Sequence, residues 1–231
     1  MGDRYTITAN IEKMSERFSV EVSESYKPRY NAAPTQILPI ITQQSKGLSF
    51  FYWGQIPDFT KNRAVSTKLL YAEAETIHEK ASTKRLLSAS RCIVPADGFY
   101  DWKKVSKKGK IPHRFIFGEN TIKSFPAIWE EFEDTEGNEL HTFKIITTQP
   151  NDMVGEMSDR MPVIFEKAQE EVWLSQTADE NALLELLKPY PSDKMGSYTV
   201  SPRFGDVSND DPSLIAPFAP ADQFGNYSLF D

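Results

Sequence analysis

Cysteine is almost absent from this chain of 231 residues: Cys92 stands alone. No internal disulfide can form, and a cysteine-based metal cluster is excluded. Histidine is nearly as scarce. His78, His113 and His141 are the only three, and their separations match no zinc-ligand spacing, so neither a metal nor a cofactor is expected. No run approaches the ~18 apolar residues that a membrane helix needs. The first residues also lack the basic start and apolar stretch of a secretory leader. A soluble, intracellular chain with no membrane role is expected. A lipid signal is the one competing reading, because MGDRYT fits the M-G-x-x-x-[ST] pattern through Thr6. One acyl chain binds membranes only marginally, and no second cysteine or basic cluster stands beside it.

What is present is ample for a core, with 39% hydrophobic and 12% aromatic residues. The net charge of -7 conceals a reversal of sign along the chain. Residues 1–110 hold 18 Lys+Arg against 11 Asp+Glu, a net +7, whereas residues 111–231 hold 8 against 22, a net -14. An acidic protein overall is a poor general binder of nucleic acid, but a basic N-terminal half can follow phosphates.

Short runs rich in β-branched and aromatic residues recur: RYTITAN, ILPIIT, GLSFFYW, RCIVPA, HRFIFG, HTFKIITT, MPVIF and GSYTV. Helical spacing of apolar residues is confined to IEKMSERF, AETIHEKASTKRLLSAS, EKAQEEVWLS and ADENALLELLKPY, the last stopped by Pro189 and Pro191. The mixture predicts an α+β fold in which strands outnumber helices. Two segments read as exposed turns, the basic KKVSKKGKIP and the acidic EEFEDTEGNE with Gly137 at the turn. Neither is long enough to divide domains, so one domain over 1–217 is expected, followed by a docked or frayed tail, 218–231.

Four stretches join polar residues to a backbone-setting Gly or Pro: RYNAAPTQ (29–36), WGQIPDF (53–59), VPADGFYDWKK (94–104) and SDRMPVIF (158–165). Such loops carry sites and plain turns alike. Taken in order with AEAETIHEKASTKRLLSASRC, IITTQPNDMVGEM and YTVSPRFGDVSNDDPSLI, they resemble the SRAP family (SOS response-associated peptidase), the abasic-site processing proteins. The resemblance runs from residue 1 to about residue 217, and its ordered segments are far more specific than any single motif.

The resemblance implies a single β-rich α+β domain with a barrel-like core and a few helices. It also implies binding of single-stranded DNA, or a strand–duplex junction, that carries an abasic site. In such proteins a cysteine at position 2, exposed by loss of the initiator Met, traps the opened sugar as a thiazolidine, assisted by an Asn, a Glu and a His. Here those positions are Gly2, Tyr71, Asp101 and Ser158. Gly2 offers no thiol, Tyr71 replaces the Asn, and Ser158 has no acid–base pKa near neutrality. Asp101 alone keeps its chemistry, one methylene shorter. The Arg expected two residues after the Asn is Glu73, which repels phosphate.

The family's DNA-lining positions are better kept, at Arg4, Asn31, Trp53, Gly54, Thr148 and Arg160, with Lys84 in place of an Arg. Arg4 and Arg160 can fork onto phosphates, and Trp53 can offer a base a stacking face. Plainer roles compete: Arg160 bonding its own loop before Pro162, Trp53 in the core, Asp97-Gly98 as a turn rather than Asp97 and Asp101 as a paired acid and base, and Cys92 as a buried small hydrophobe. A monomeric pseudoenzyme of the DNA damage response is expected, cytoplasmic and nucleoid-associated, binding abasic or single-stranded DNA without a cross-link. The alternatives are a residual lyase that uses the Gly2 α-amine as a reversible imine former, and a protein-binding scaffold suggested by the acidic second half.

Overall fold

In the computed structural model, the described residues are 2–43, 45–54, 67–107, 109–119, 121–133 and 136–219. Their strands are β1 (Tyr5–Ile7), β2 (Arg29–Ala32), β3 (Ile37–Thr42), β4 (Ser49–Trp53), β5 (Tyr71–Glu73), β6 (Arg91–Ala96), β7 (Gly98–Lys104), β8 (Lys110–Phe117), β9 (Lys123–Glu133), β10 (Glu139–Thr148), β11 (Met161–Pro162) and β12 (Met195–Thr199). The helices are α1 (Ile11–Phe18), α2 (Thr67–Leu70), α3 (Ala81–Ala89), α4 (Asp152–Gly155), α5 (Lys167–Leu174) and α6 (Glu180–Glu185).

Five strands form a closed ring. β4, β3, β6 and β9 pair antiparallel in that order; β9 then pairs antiparallel with β10, and β10 returns to β4 in parallel register, Thr142 to Tyr52 and Phe143 to Trp53. Beyond the ring, the far half of β10 pairs with β5 and β11. The second sheet is antiparallel throughout, in the order β12-β8-β7-β1-β2. One core joins the two: Tyr5, Phe99 and Phe115 of the sheet pack with Trp53, Phe125 and Phe143 of the barrel, all fully buried. Burial of this much aromatic surface is the main stabilising term. A second cluster seats α3, α5 and α6 on the outside of the barrel through Leu86, Leu87, Trp173 and Leu183. The architecture is α+β and β-rich, with a barrel-like core in a single domain.

Local chemistry accounts for most of the elements. α1 starts where the Asn10 side chain accepts from the Lys13 N–H at 3.1 Å, and ends at Ser19 in left-handed geometry. Gly137, with φ of 82°, lies in the acidic β9–β10 hairpin, and the basic segment turns between β7 and β8. The sequence overestimates one helix: residues 74–80 form turns, and only Ala81–Ala89 is helical. It also reads GFYDWKK as loop, whereas that segment is β7, paired on both sides. No helix among the described residues is long and apolar enough to cross a membrane.

Candidate functional site

Pairing of β1 with β7 carries the N-terminus to one end of the barrel. The Tyr100 N–H donates to the Arg4 carbonyl, and continuing the chain backwards lays Gly2 along Tyr100 and Asp101. There the Gly2 N–H donates to Asp101 Oδ2 at 2.8 Å. The Tyr71 hydroxyl, at the start of β5, donates to the Gly2 carbonyl at 2.8 Å. Three of the four expected catalytic positions, far apart in sequence, therefore meet at one point. Burial pushes the Tyr71 phenol well above its ordinary pKa, and the carboxylates of Asp3 and Asp101 add to the shift against the opposing charge of Arg4. The phenol stays neutral and acts as a donor.

Gly2 is needed by the backbone itself. A Cβ at that position would lie 2.3 Å from the Tyr100 carbonyl oxygen, which belongs to a paired strand and cannot swing aside. A cysteine does not fit this conformation. Ser158, the fourth position, follows α4, and its N–H donates to the Val154 carbonyl.

A cavity of about 610 Å³ opens beside Tyr71. Lys68, Lys80, Lys144 and Arg160 line it against Glu73 and Asp159, so cations outnumber carboxylates among its described lining residues. Lys144 is paired with Glu130 at 3.4 Å. Arg160 is also engaged, donating to Glu75 Oε2 at 2.8 Å and to the Thr147 carbonyl at 2.7 Å. Desolvation raises the Glu75 carboxyl, but the Arg160 hydrogen bond and charge together with backbone donors outweigh it, leaving Glu75 below the usual carboxylate value. The guanidinium is thus held by β10 and Glu75, rather than by carbonyls of its own loop before Pro162.

The remaining DNA-lining candidates are placed less favourably for contact. Asn31 is 0% exposed, and its side-chain amide donates to the carbonyls of Phe204, Asp206 and Asn209. Trp53 is likewise 0% exposed. Its ring meets those of Tyr5 and Tyr71 edge-on, and its Nε1 donates to the Leu70 carbonyl. Burial thus corrects the expectations that Trp53 offers a base a stacking face and that Asn31 lines a cleft: Trp53 packs behind Tyr71, and Asn31 ties β2 to residues 204–209. Gly54 takes a φ of +80°, where a Cβ would meet Leu70 at 2.4 Å, so its role is set by the backbone. Thr148 is buried, its hydroxyl 3.5 Å from Glu75. Lys84 points to Glu180 at 3.2 Å. Arg4 holds Asp3 at 2.8 Å and leaves a buried Nε without a partner. Of WGQIPDF, residues 55–59 lie outside the described residues, as does the tail from 220.

Cys92 is fully buried and burial pushes its thiol well up, so it is unreactive. Asp97 does not pair with Asp101; it accepts from Thr6, Thr8 and Arg114 instead. The sequence reading missed one group of donors. Glu131, Glu139 and His141 bring three ligand atoms within 4.8 Å of one another on the β9–β10 hairpin. A divalent cation could use such a set, although the imidazole already lies 3.2 Å from Glu131 and both carboxylates face water. Only cross-strand register, invisible in residue spacing, brings them together.

Known proteins supply the context for this geometry. A protein from Bacteroides thetaiotaomicron, solved by X-ray crystallography, superposes with a TM-score of 0.81 at 27% identity, covering 94% of this chain and 99% of that one. The abasic site processing protein YoqW of Bacillus subtilis is 38% identical over 93% of this chain and 99% of its own length. An abasic site processing protein of Saccharomyces cerevisiae, YMR114C, is 30% identical over 85% of this chain and 55% of its own length. The family model for SOS response associated peptidase matches residues 1–207, and the chain belongs to the SRAP family.

Proposed function

We propose that this protein binds single-stranded DNA at an abasic site without forming the covalent cross-link. The observation that carries the reading is the packing at Gly2. The position that would hold the thiol admits no Cβ, and the Tyr71 hydroxyl binds the Gly2 carbonyl beside a cavity whose cations outnumber its carboxylates. Abasic site processing by relatives such as YoqW favours DNA as the ligand. An intracellular, nucleoid-associated place follows from that ligand. Glu73 and the Arg160–Glu75 pair lower the affinity for phosphate, so binding should be weak and strongly screened. Fluorescence anisotropy with an abasic single-stranded oligonucleotide tests this. Saturable binding at low salt that falls steeply as salt rises is expected. No binding, or binding indifferent to salt, would overturn the reading.

A second reading rests on the contact between Gly2 N and Asp101. Once the initiator Met is removed, that nitrogen is an α-amine with a reference pKa of ~7.7–8.0. A carboxylate 2.8 Å away stabilises its ammonium form and can also take up the proton released when the amine adds to an aldehyde. Borohydride reduction of the resulting imine would leave a protein–DNA band on a gel, and its absence with processed protein would exclude this chemistry.

A further inference from the structure

We infer that the β7–β8 hairpin is a second, electrostatic contact surface, which holds the phosphate backbone of the strand flanking the lesion. The inference rests on the DNA-binding reading above. Asp101 lies on β7, and the same two strands run outward from it to a tip bearing Lys104, Lys107 and Lys110, all exposed. Lys104 and Lys110 are direct cross-strand partners. Like charges placed opposite each other destabilise a ladder unless an anion lies across them. Lys84, Lys103, Lys123 and Lys144 each have a carboxylate partner. Among the described residues, Lys104, Lys107 and Lys110 form no ion pair.

The surface is continuous with the site. Lys103 Nζ meets Glu156 Oε2 at 3.0 Å, tying the hairpin to the loop after α4 that carries Ser158 and Arg160. A strand leaving the cavity past this loop would run toward the hairpin that Lys103 ties to it. Val105, half exposed at the turn, adds a small apolar contact among the charges. Ammonium groups on flexible stems suit phosphates without fixing sequence. The surface should thus strengthen binding to any flank and leave lesion recognition to the cavity.

The test compares the intact protein with the triple variant Lys104→Gln/Lys107→Gln/Lys110→Gln, using a 15-nucleotide abasic strand, an undamaged strand of the same length, an abasic trinucleotide and poly-glutamate. Removal of three single-strand phosphate contacts should reduce the slope of log affinity against log salt by about 2. Affinity for both 15-mers should fall by a similar factor, and that for the trinucleotide should stay unchanged. If the intact protein binds the 15-mers and the triple variant keeps the same slope, the hairpin proposal falls while the cavity reading stands. If the intact protein binds no oligonucleotide, both fall. Binding of poly-glutamate as tight as that of the 15-mers would overturn the assignment of a nucleic-acid partner to the hairpin. Circular dichroism of the variant confirms that the exposed substitutions leave the fold intact.

Discussion

Asp97 and Asp101 lie four residues apart at the β6–β7 corner and on β7, both beside the chain that forms β1, yet their surroundings differ. Asp97 is saturated: it accepts from Thr6 Oγ1 at 2.6 Å, from Thr8 Oγ1 at 2.8 Å and from Arg114 at 2.9 Å, with both charged side chains almost wholly buried. Asp101 accepts from the Gly2 N–H and the Trp102 N–H, each at 2.8 Å, next to the Gly2 carbonyl that Tyr71 binds. The first carboxylate locks β1 onto β7; the second keeps chemistry within reach of the N-terminus. Two acids of one type, four residues apart, can thus be told apart by the kind of donor that faces each: buried side chains at Asp97, backbone N–H groups at Asp101.

Substitution at the saturated end should have the largest effect. Asp97→Ala leaves the Arg114 guanidinium buried without its counter-ion, and a loss of about 3–5 kcal/mol is expected, read by urea unfolding. A loss below 1 kcal/mol would show that the two ends are alike. At the site end, Gly2→Ala forces a Cβ against the Tyr100 carbonyl, and a smaller cost of about 1–3 kcal/mol is expected. Faster amide exchange confined to Tyr100–Asp101 would show that the strain stays local; uniform exchange across β7 would contradict that.

The smallest effect concerns acid. The Glu75 carboxyl is held below its ordinary value of 4.5, mainly by Arg160, against desolvation. The Glu166 carboxyl is held low by Lys123 and Tyr190, again against desolvation. A depressed folded-state pKa stabilises the protein above the unfolded value, and this contribution is lost as pH falls through the folded one. Stability should therefore be level above about pH 5 and decline below about pH 4.5, and Glu75→Gln should make the decline shallower in thermal melts across that range. An unchanged decline would place the acid sensitivity elsewhere.

Much of the fold was legible because it is local. Hairpin turns, the helical spacing of IEKMSERF and the β-branched runs each act within a few residues. Cys92 was read as buried from its apolar neighbours, and it is. Asn31 and Trp53 were harder, because their partners are remote: Asn31 serves carbonyls some 173 residues away, and Trp53 packs on rings from β1, β5 and β10. No periodicity separates a tryptophan that faces a cleft from one that supports its wall. The candidate site was legible as positions but not as an arrangement. Its three contributors come from β5, β7 and the residues before β1, and the steric demand at Gly2 exists only once Tyr100 lies beside it.

The ring of strands also bears on how the chain reaches this state. β10 pairs with β9, β4, β5 and β11, and its parallel partner β4 lies about 90 residues earlier. Closing so long a loop must come before its contacts can reward it. The barrel therefore stays open, with a strand edge exposed, until β10 has been made and docked.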